Sequence, residues 1–153
     1  MVSLDGSSLD VADTAENGIA LGNPGVSRGK SAFSQLRFVA LVENGTHVLF
    51  GAEMGRTADG EMMLAHDVVP ALRSGMLCLA DRYFFGYALW RKAAATGADL
   101  LWRVSSNLRL PRVAVLADGS YLSTICPSEK ERRHAANGGR VRGRTPAGGR
   151  GRR

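Results

Sequence analysis

The sequence predicts an α/β fold, and three observations predict it. Two apolar strand-like stretches flank an Asn-Gly turn in the first third of the chain. A short, continuous apolar run, "MLCLA" (Met76–Ala80), lies between two segments of helical period. A further short strand pattern, "DLLWRVS" (Asp99–Ser105), follows the second of those segments. Strands that first pair across a tight turn and later alternate with helices give a mixed sheet, antiparallel in its first half and built of βαβ crossovers in its second. The length of 153 residues suits one ordinary domain, and a 44% hydrophobic composition suffices for a core.

The elements follow in order. Residues 2–11, "VSLDGSSLDV", alternate apolar and polar and read as a strand. Residues 12–35 are rich in Gly, Asn and Pro and read as a loop, longer than compact domains usually carry. "LRFVALVE" (Leu36–Glu43) is a strand, and "NGTH" turns it into an antiparallel partner, "VLFGAEMGR" (Val48–Arg56). "DGEMMLAHDVVPALRSG" reads as a helix with Asp59 as N-cap, ending near Gly75. Its apolar face is Met62, Leu64, Ala65, Val68, Val69 and Leu72, and Pro70 is expected to disturb or end it. Met76–Ala80 suits a central strand buried on both faces. Phe85–Gly97 is the next helix, with Gly97 as its C-cap, and Asp99–Ser105 is a strand. After Pro111, "RVAVLADGSYLSTIC" reads as a hairpin turning at Asp118-Gly119. Trp90 and Trp102 are expected to pack helix against sheet.

The net charge of +6 belongs to one end of the chain. Of the 20 basic residues, six fall in the last 17, "NGGRVRGRTPAGGRGRR", which hold no acid; 14 basic residues then face 14 acidic ones in the body. That tail, with six glycines, cannot bury a core and is expected to be disordered. It reads as a solvated basic arm, as an arm for nucleic-acid phosphates, or as a GC-rich gene read out of frame. No apolar run reaches the roughly 20 residues of a bilayer span. The N-terminus lacks the basic flank of a signal peptide, so no membrane partner and a cytoplasmic location are expected. Cys78 and Cys126 lack CxxC spacing and read as free buried thiols.

Two carboxylates carry the candidate chemistry. Asp5 lies within the first strand, in "LDGSSL", and Asp81 lies 76 residues later, at the end of the apolar run. Where those strands are neighbours, the two carboxylates stand close and repel unless a cation sits between them. Magnesium or manganese suits hard oxygen ligands, and a pair of such ions can promote phosphodiester cleavage. The plainer alternatives are a turn residue for Asp5, before Gly6, and a surface ion pair for Asp81-Arg82.

The blocks "SLDGSSLDVADTAENGIALGNPGVSRGKSAFSQLRFVALVENGTH", "GMLCLADRYFFGYALWRKAAATGADLLWRVSSNLRLP" and "LADGSYLSTICPSEKERRHAANG" resemble successive blocks of a bacterial insertion-sequence transposase of the DDE type, the insertion sequence 4 family. The likeness covers about Val2 to Gly138. It implies a ribonuclease H-like catalytic core with two aspartates and a glutamate binding magnesium or manganese. Such a core cuts transposon ends and joins them to target DNA, with DNA as partner and a homodimer in the intact family. Asp5 resembles the first catalytic aspartate and metal ligand, and Asp81 the second. Arg82 becomes a phosphate contact or an internal ion pair. Arg28 and Lys30, in the basic loop "GNPGVSRGK", become DNA contacts or solvated charges.

Two departures from the family are visible. The position after Asp-Arg is commonly glycine in the family and is Tyr83 here, costly if the backbone needs a positive φ. No residue matches the family's catalytic glutamate: Glu129 and Glu131, in "PSEKERRH", fall in the block that resembles a β-rich insertion. The expectation is a truncated fragment. Residues 1–108 would be a partial core, 109–136 the start of that insertion and 137–153 the tail, catalytically incomplete alone. The alternative is a non-catalytic nucleic-acid binder acting through the tail. His47, His66 and His134 are dispersed and read as ordinary histidines.

Overall fold

The computed structural model describes residues 1–23, 25–26, 29–30 and 33–136. The chain divides into two compact units, Met1–Ser105 and a second beginning at Ser106. The first is mixed α/β. Its elements are β1 (Val2–Asp10), α1 (Ala15–Leu21), β2 (Gly25–Val26), β3 (Gly29–Lys30), β4 (Gln35–Glu43), β5 (Leu49–Arg56), α2 (Glu61–Val68), a 3₁₀ turn (Val69–Ala71), β6 (Leu77–Ala80), α3 (Tyr87–Ala94) and β7 (Asp99–Trp102). Five strands form one sheet in the order β5-β4-β1-β6-β7. β1 runs antiparallel to β4, and β4 to β5. β6 runs parallel to β1, and β7 to β6.

The hairpin β4–β5 forms where the Asn-Gly signal lies. Glu43 closes its turn: Oε2 accepts from the N–H groups of Gly45 (2.9 Å) and Thr46 (2.6 Å) and from the Thr46 hydroxyl (2.8 Å). These bonds hold the Glu43 carboxyl below its usual range, the backbone bonds contributing most. His47 completes the turn with a φ of 60°.

One face of the sheet carries the core. Val2, Leu4, Val39, Leu41 and Cys78 are buried there against Leu64, Ala65 and Val68 of α2 and Leu89 and Ala93 of α3. Burying each large apolar side chain contributes roughly 1.5–3 kcal/mol. Two glycines on β5 make the helical layer fit. A Cβ at Gly51 would lie 3.0 Å from the Ala71 Cβ, and one at Gly55 would lie 2.9 Å from Asp59 Oδ2. Trp90 of α3 and Trp102 of β7 meet edge to face, centroids 5.3 Å apart, as the sequence predicts. Lys92 of α3 donates its ammonium to the His66 carbonyl of α2.

The other face is set by strand alternation. It carries Leu9 on β1, Leu36, Phe38, Ala40 and Val42 on β4, Leu49 and Met54 on β5, and Leu77, Leu79 and Leu101 on β6 and β7. Leu9, Leu49, Met54 and Leu101 are all more than half exposed.

Several local expectations need correction. Asp59 does not cap α2: the N-cap is Gly60, without a side-chain bond. Asp59 Oδ2 instead accepts from the Arg56 N–H at 2.8 Å and faces the Arg56 guanidinium at 3.7 Å, closing the β5–α2 turn. Pro70 ends the α-helix as expected, but at Val68 rather than near Gly75, and the chain tightens to a 3₁₀ turn around a residue that has no N–H to offer. α3 spans Tyr87–Ala94, shorter than expected at both ends. Its C-cap is Ala95, and Gly97 takes the left-handed φ of 82° beyond it. The 12–35 stretch is not wholly loop: it holds α1, capped by the Thr14 hydroxyl on the Asn17 N–H at 3.2 Å. α1 buries no residue, so no apolar period marked it. Cys78 is buried and free, and Cys126 is free but only half-buried.

In the second unit, β8 (Arg112–Val115) and β9 (Tyr121–Ser123) pair as the predicted hairpin, with Gly119 at a φ of 84°. A helix, α4 (Glu129–Ala136), follows where the sequence suggested the opening of a β-rich insertion. The tail expectation for 137–153 lies outside the described residues. No helix among the described residues is long and apolar enough to cross a membrane.

Candidate acid pair at the strand ends

β1 and β6 pair as Val2–Cys78, Ser3–Leu79 and Leu4–Ala80. The next residue on each strand is an aspartate, Asp5 on one and Asp81 on the other. The register thus brings the two sequence-predicted acids together, one step beyond the last rung, on strands about 4.8 Å apart. Alternation carries both to the face opposite Leu4 and Ala80, and both are exposed. β1 passes close to α2 here. A Cβ at Gly6 would lie 3.0 Å from the Glu61 side chain on the helix side, and that carboxylate faces Arg37 Nε at 3.9 Å.

Each acid is partly committed to the backbone. Asp5 Oδ1 accepts from the Gly6 N–H at 2.9 Å. Asp81 Oδ1 accepts from the Tyr83 N–H at 2.6 Å, an Asx turn that fixes the carboxylate as the chain leaves β6. Tyr83 does not have a positive φ; His47 is the one such non-glycine residue among the described residues. The tyrosine is therefore compatible with this backbone.

The row continues one strand further. β6 and β7 pair from Leu77–Asp99 to Ala80–Trp102, and the Arg103 N–H donates to the Ala80 carbonyl at 2.9 Å. The residue beside Asp81 is therefore Arg103, exposed, in a row Asp5, Asp81, Arg103 that runs from the middle of β1 past the ends of β6 and β7. Sequence reading missed Arg103. Its signal was present: counting equally from the starts of "LCLAD" and "DLLWR" sets Arg103 level with Asp81.

Arg82 is exposed beside the pair. Arg28 lies outside the described residues, and Lys30 is placed by its backbone in β3. Among the described residues no group of three or more His, Cys, Asp or Glu side chains stands together as a metal site. The donor set nonetheless suits one class of ion. Two carboxylates without thiolate or imidazole match magnesium or manganese, which keep several waters and need only one or two protein carboxylates. No protein-family model matches the chain, and no curated protein sequence matches it.

Proposed function

We propose that Asp5 and Asp81 form a partial divalent-metal site for phosphoryl chemistry on DNA, in a ribonuclease H-like sheet of the kind used by insertion-sequence transposases. One observation supports the reading: β1 and β6 pair in parallel up to Leu4–Ala80, and Asp5 and Asp81 are the next residues along. The mixed strand order, antiparallel then parallel, supports it.

Asp5 and Asp81 would hold the ion through the oxygens that their backbone bonds leave free. A bound magnesium or manganese ion supplies activation of an attacking oxygen and charge stabilisation on a leaving one. Arg103 and Arg82 orient a phosphate by charge-assisted hydrogen bonds from outside the pair. The reading includes incompleteness. With two carboxylates and no third among the described residues, the ion is held weakly and strand transfer by this chain alone is not expected.

Manganese titration followed by electron paramagnetic resonance tests the reading. The chain should bind manganese weakly. Asp5→Asn and Asp81→Asn should each remove that binding while circular dichroism stays unchanged. Binding that survives both substitutions overturns the site, and robust joining of transposon-end DNA overturns its incompleteness.

A further inference from the structure

We infer that Tyr83 is the platform on which this site receives an unpaired nucleobase, stacked against its ring. The inference rests on the metal-site reading, which brings a nucleotide phosphate to Asp5 and Asp81. Tyr83 follows Asp81 by two residues, and its N–H is bonded to Asp81 Oδ1 at 2.6 Å. The backbone that carries the ring is thus tied to the carboxylate that would hold the ion. Consecutive Cα atoms are about 3.8 Å apart, so the Tyr83 and Asp81 backbones lie within about 7.6 Å of each other.

The ring is anchored but uncovered. It meets Phe84 edge to face, centroids 5.7 Å apart at 87°. Phe84 is 2% exposed and belongs to the core, whereas Tyr83 is 55% exposed. A tyrosine has two side-chain torsions to fix, so a ring already braced this way loses little freedom on binding.

The other tyrosines differ. The Arg91 guanidinium lies over the Tyr87 ring at 5.7 Å, and Arg112 lies over Tyr121 at 5.2 Å. Among the described residues, no such cation lies over Tyr83. Arg82, beside it in the chain, and Arg103, level with Asp81 on the next strand, are charged and exposed, which suits a phosphate-bearing ligand better than an apolar protein surface. A rigid aromatic face flanked by arginines is the chemistry of single-stranded nucleic-acid binding, where stacking tolerates any base. A base within a duplex has no open face to offer, so the ligand is unpaired.

The test uses the full chain, manganese and a single-stranded thymidine oligonucleotide with one fluorescent aminopurine, beside the same strand abasic at that position. Arginine–phosphate attraction acts on both strands alike, so their difference reports stacking. Aminopurine fluorescence should be quenched on binding, and the intact strand should bind about 5- to 100-fold more tightly than the abasic one. Tyr83→Ala should abolish quenching and preference, while Tyr83→Phe keeps both; Trp90 and Trp102 fluorescence verifies the fold. Quenching that persists in Tyr83→Ala, or is absent in the unmodified chain, overturns the inference. The manganese titration keeps the two readings apart. Metal binding intact with Tyr83 indifferent sinks the platform alone; metal binding absent sinks the site and the platform with it.

Discussion

The two units treat the same kinds of side chain differently. In Met1–Ser105, Val39 and Leu41 of the sheet and Val69 and Leu89 of the helical layer are at most 1% exposed. In the unit beginning at Ser106, the hairpin residues Val113, Val115, Tyr121 and Leu122 are 41–66% exposed. Both regions have strand propensity and a tight turn. The difference is partners: β4 lies between two strands and under a helix, while β8 and β9, among the described residues, pair only with each other. A two-stranded hairpin is marginal without a third strand or a packed helix. α4, with the sequence "EKERRHAA", offers little apolar surface to supply one. Strand pattern makes strands, and only layered partners make a core.

The largest expected effect breaks or keeps that comparison directly. Leu41→Ala should cost about 2–5 kcal/mol, because the cavity lies among atoms that cannot collapse. Val115→Ala should change stability by no more than about 0.5 kcal/mol. Urea unfolding of both variants checks this, and similar losses would mean that the hairpin has a core of its own.

A smaller effect concerns the two thiols. Burial pushes the Cys78 thiol up, and Trp102 lowers it only in part. Burial raises Cys126 as well, with Glu131 adding to it. Accessibility therefore decides, since both are mainly protonated at neutral pH. Iodoacetamide should label Cys126 in the native chain and Cys78 only in denaturant, read by peptide mass spectrometry. Equal labelling would show that the first unit opens as readily as the second.

The smallest effect sharpens a likeness. Asp118 locks the β8–β9 turn much as Glu43 locks the other: its Oδ1 accepts from the Ser120 hydroxyl and N–H, which lower its pKa. A carboxyl lowered on folding contributes stability that is present above its unfolded value and lost as pH falls through the folded one. Amide exchange at Gly45, Thr46 and Ser120, corrected for intrinsic pH dependence, should lose protection below about pH 4. The β4 amides should stay protected, held by strands on both sides. Glu43→Gln should remove the pH dependence at Gly45 and Thr46 only.

Much of the sheet was legible because its residues obey one dominant rule each. "LRFVALVE" and "MLCLA" read as strands and are strands, but the expected burial of the second on both faces is corrected: β6 is central, and of its residues Cys78 alone is buried while Leu77 and Leu79 on the opposite face are half-buried. The α2 cap was not legible, because Asp59 could serve either the helix after it or the turn before it, and the local turn to Arg56 took it. α1 and α4 escaped notice because neither shows the apolar stripe by which helices are read. At the site, Asp5 and Asp81 were readable as residues, but their adjacency required strand order. Arg103 needed the register as well, which local pattern does not encode.

The hydrogen bonds that Asp5 and Asp81 make to Gly6 and Tyr83 bear on ion choice. One oxygen of each acid already accepts a backbone bond, so in the proposed site each carboxylate would bind an ion most readily through its other oxygen. Calcium, which seeks six to eight oxygens and favours chelating carboxylates, is poorly served by such a corner. At the proposed site a small ion that keeps most of its hydration shell would lose little, and the two backbone amides would favour it over an ion of higher coordination number.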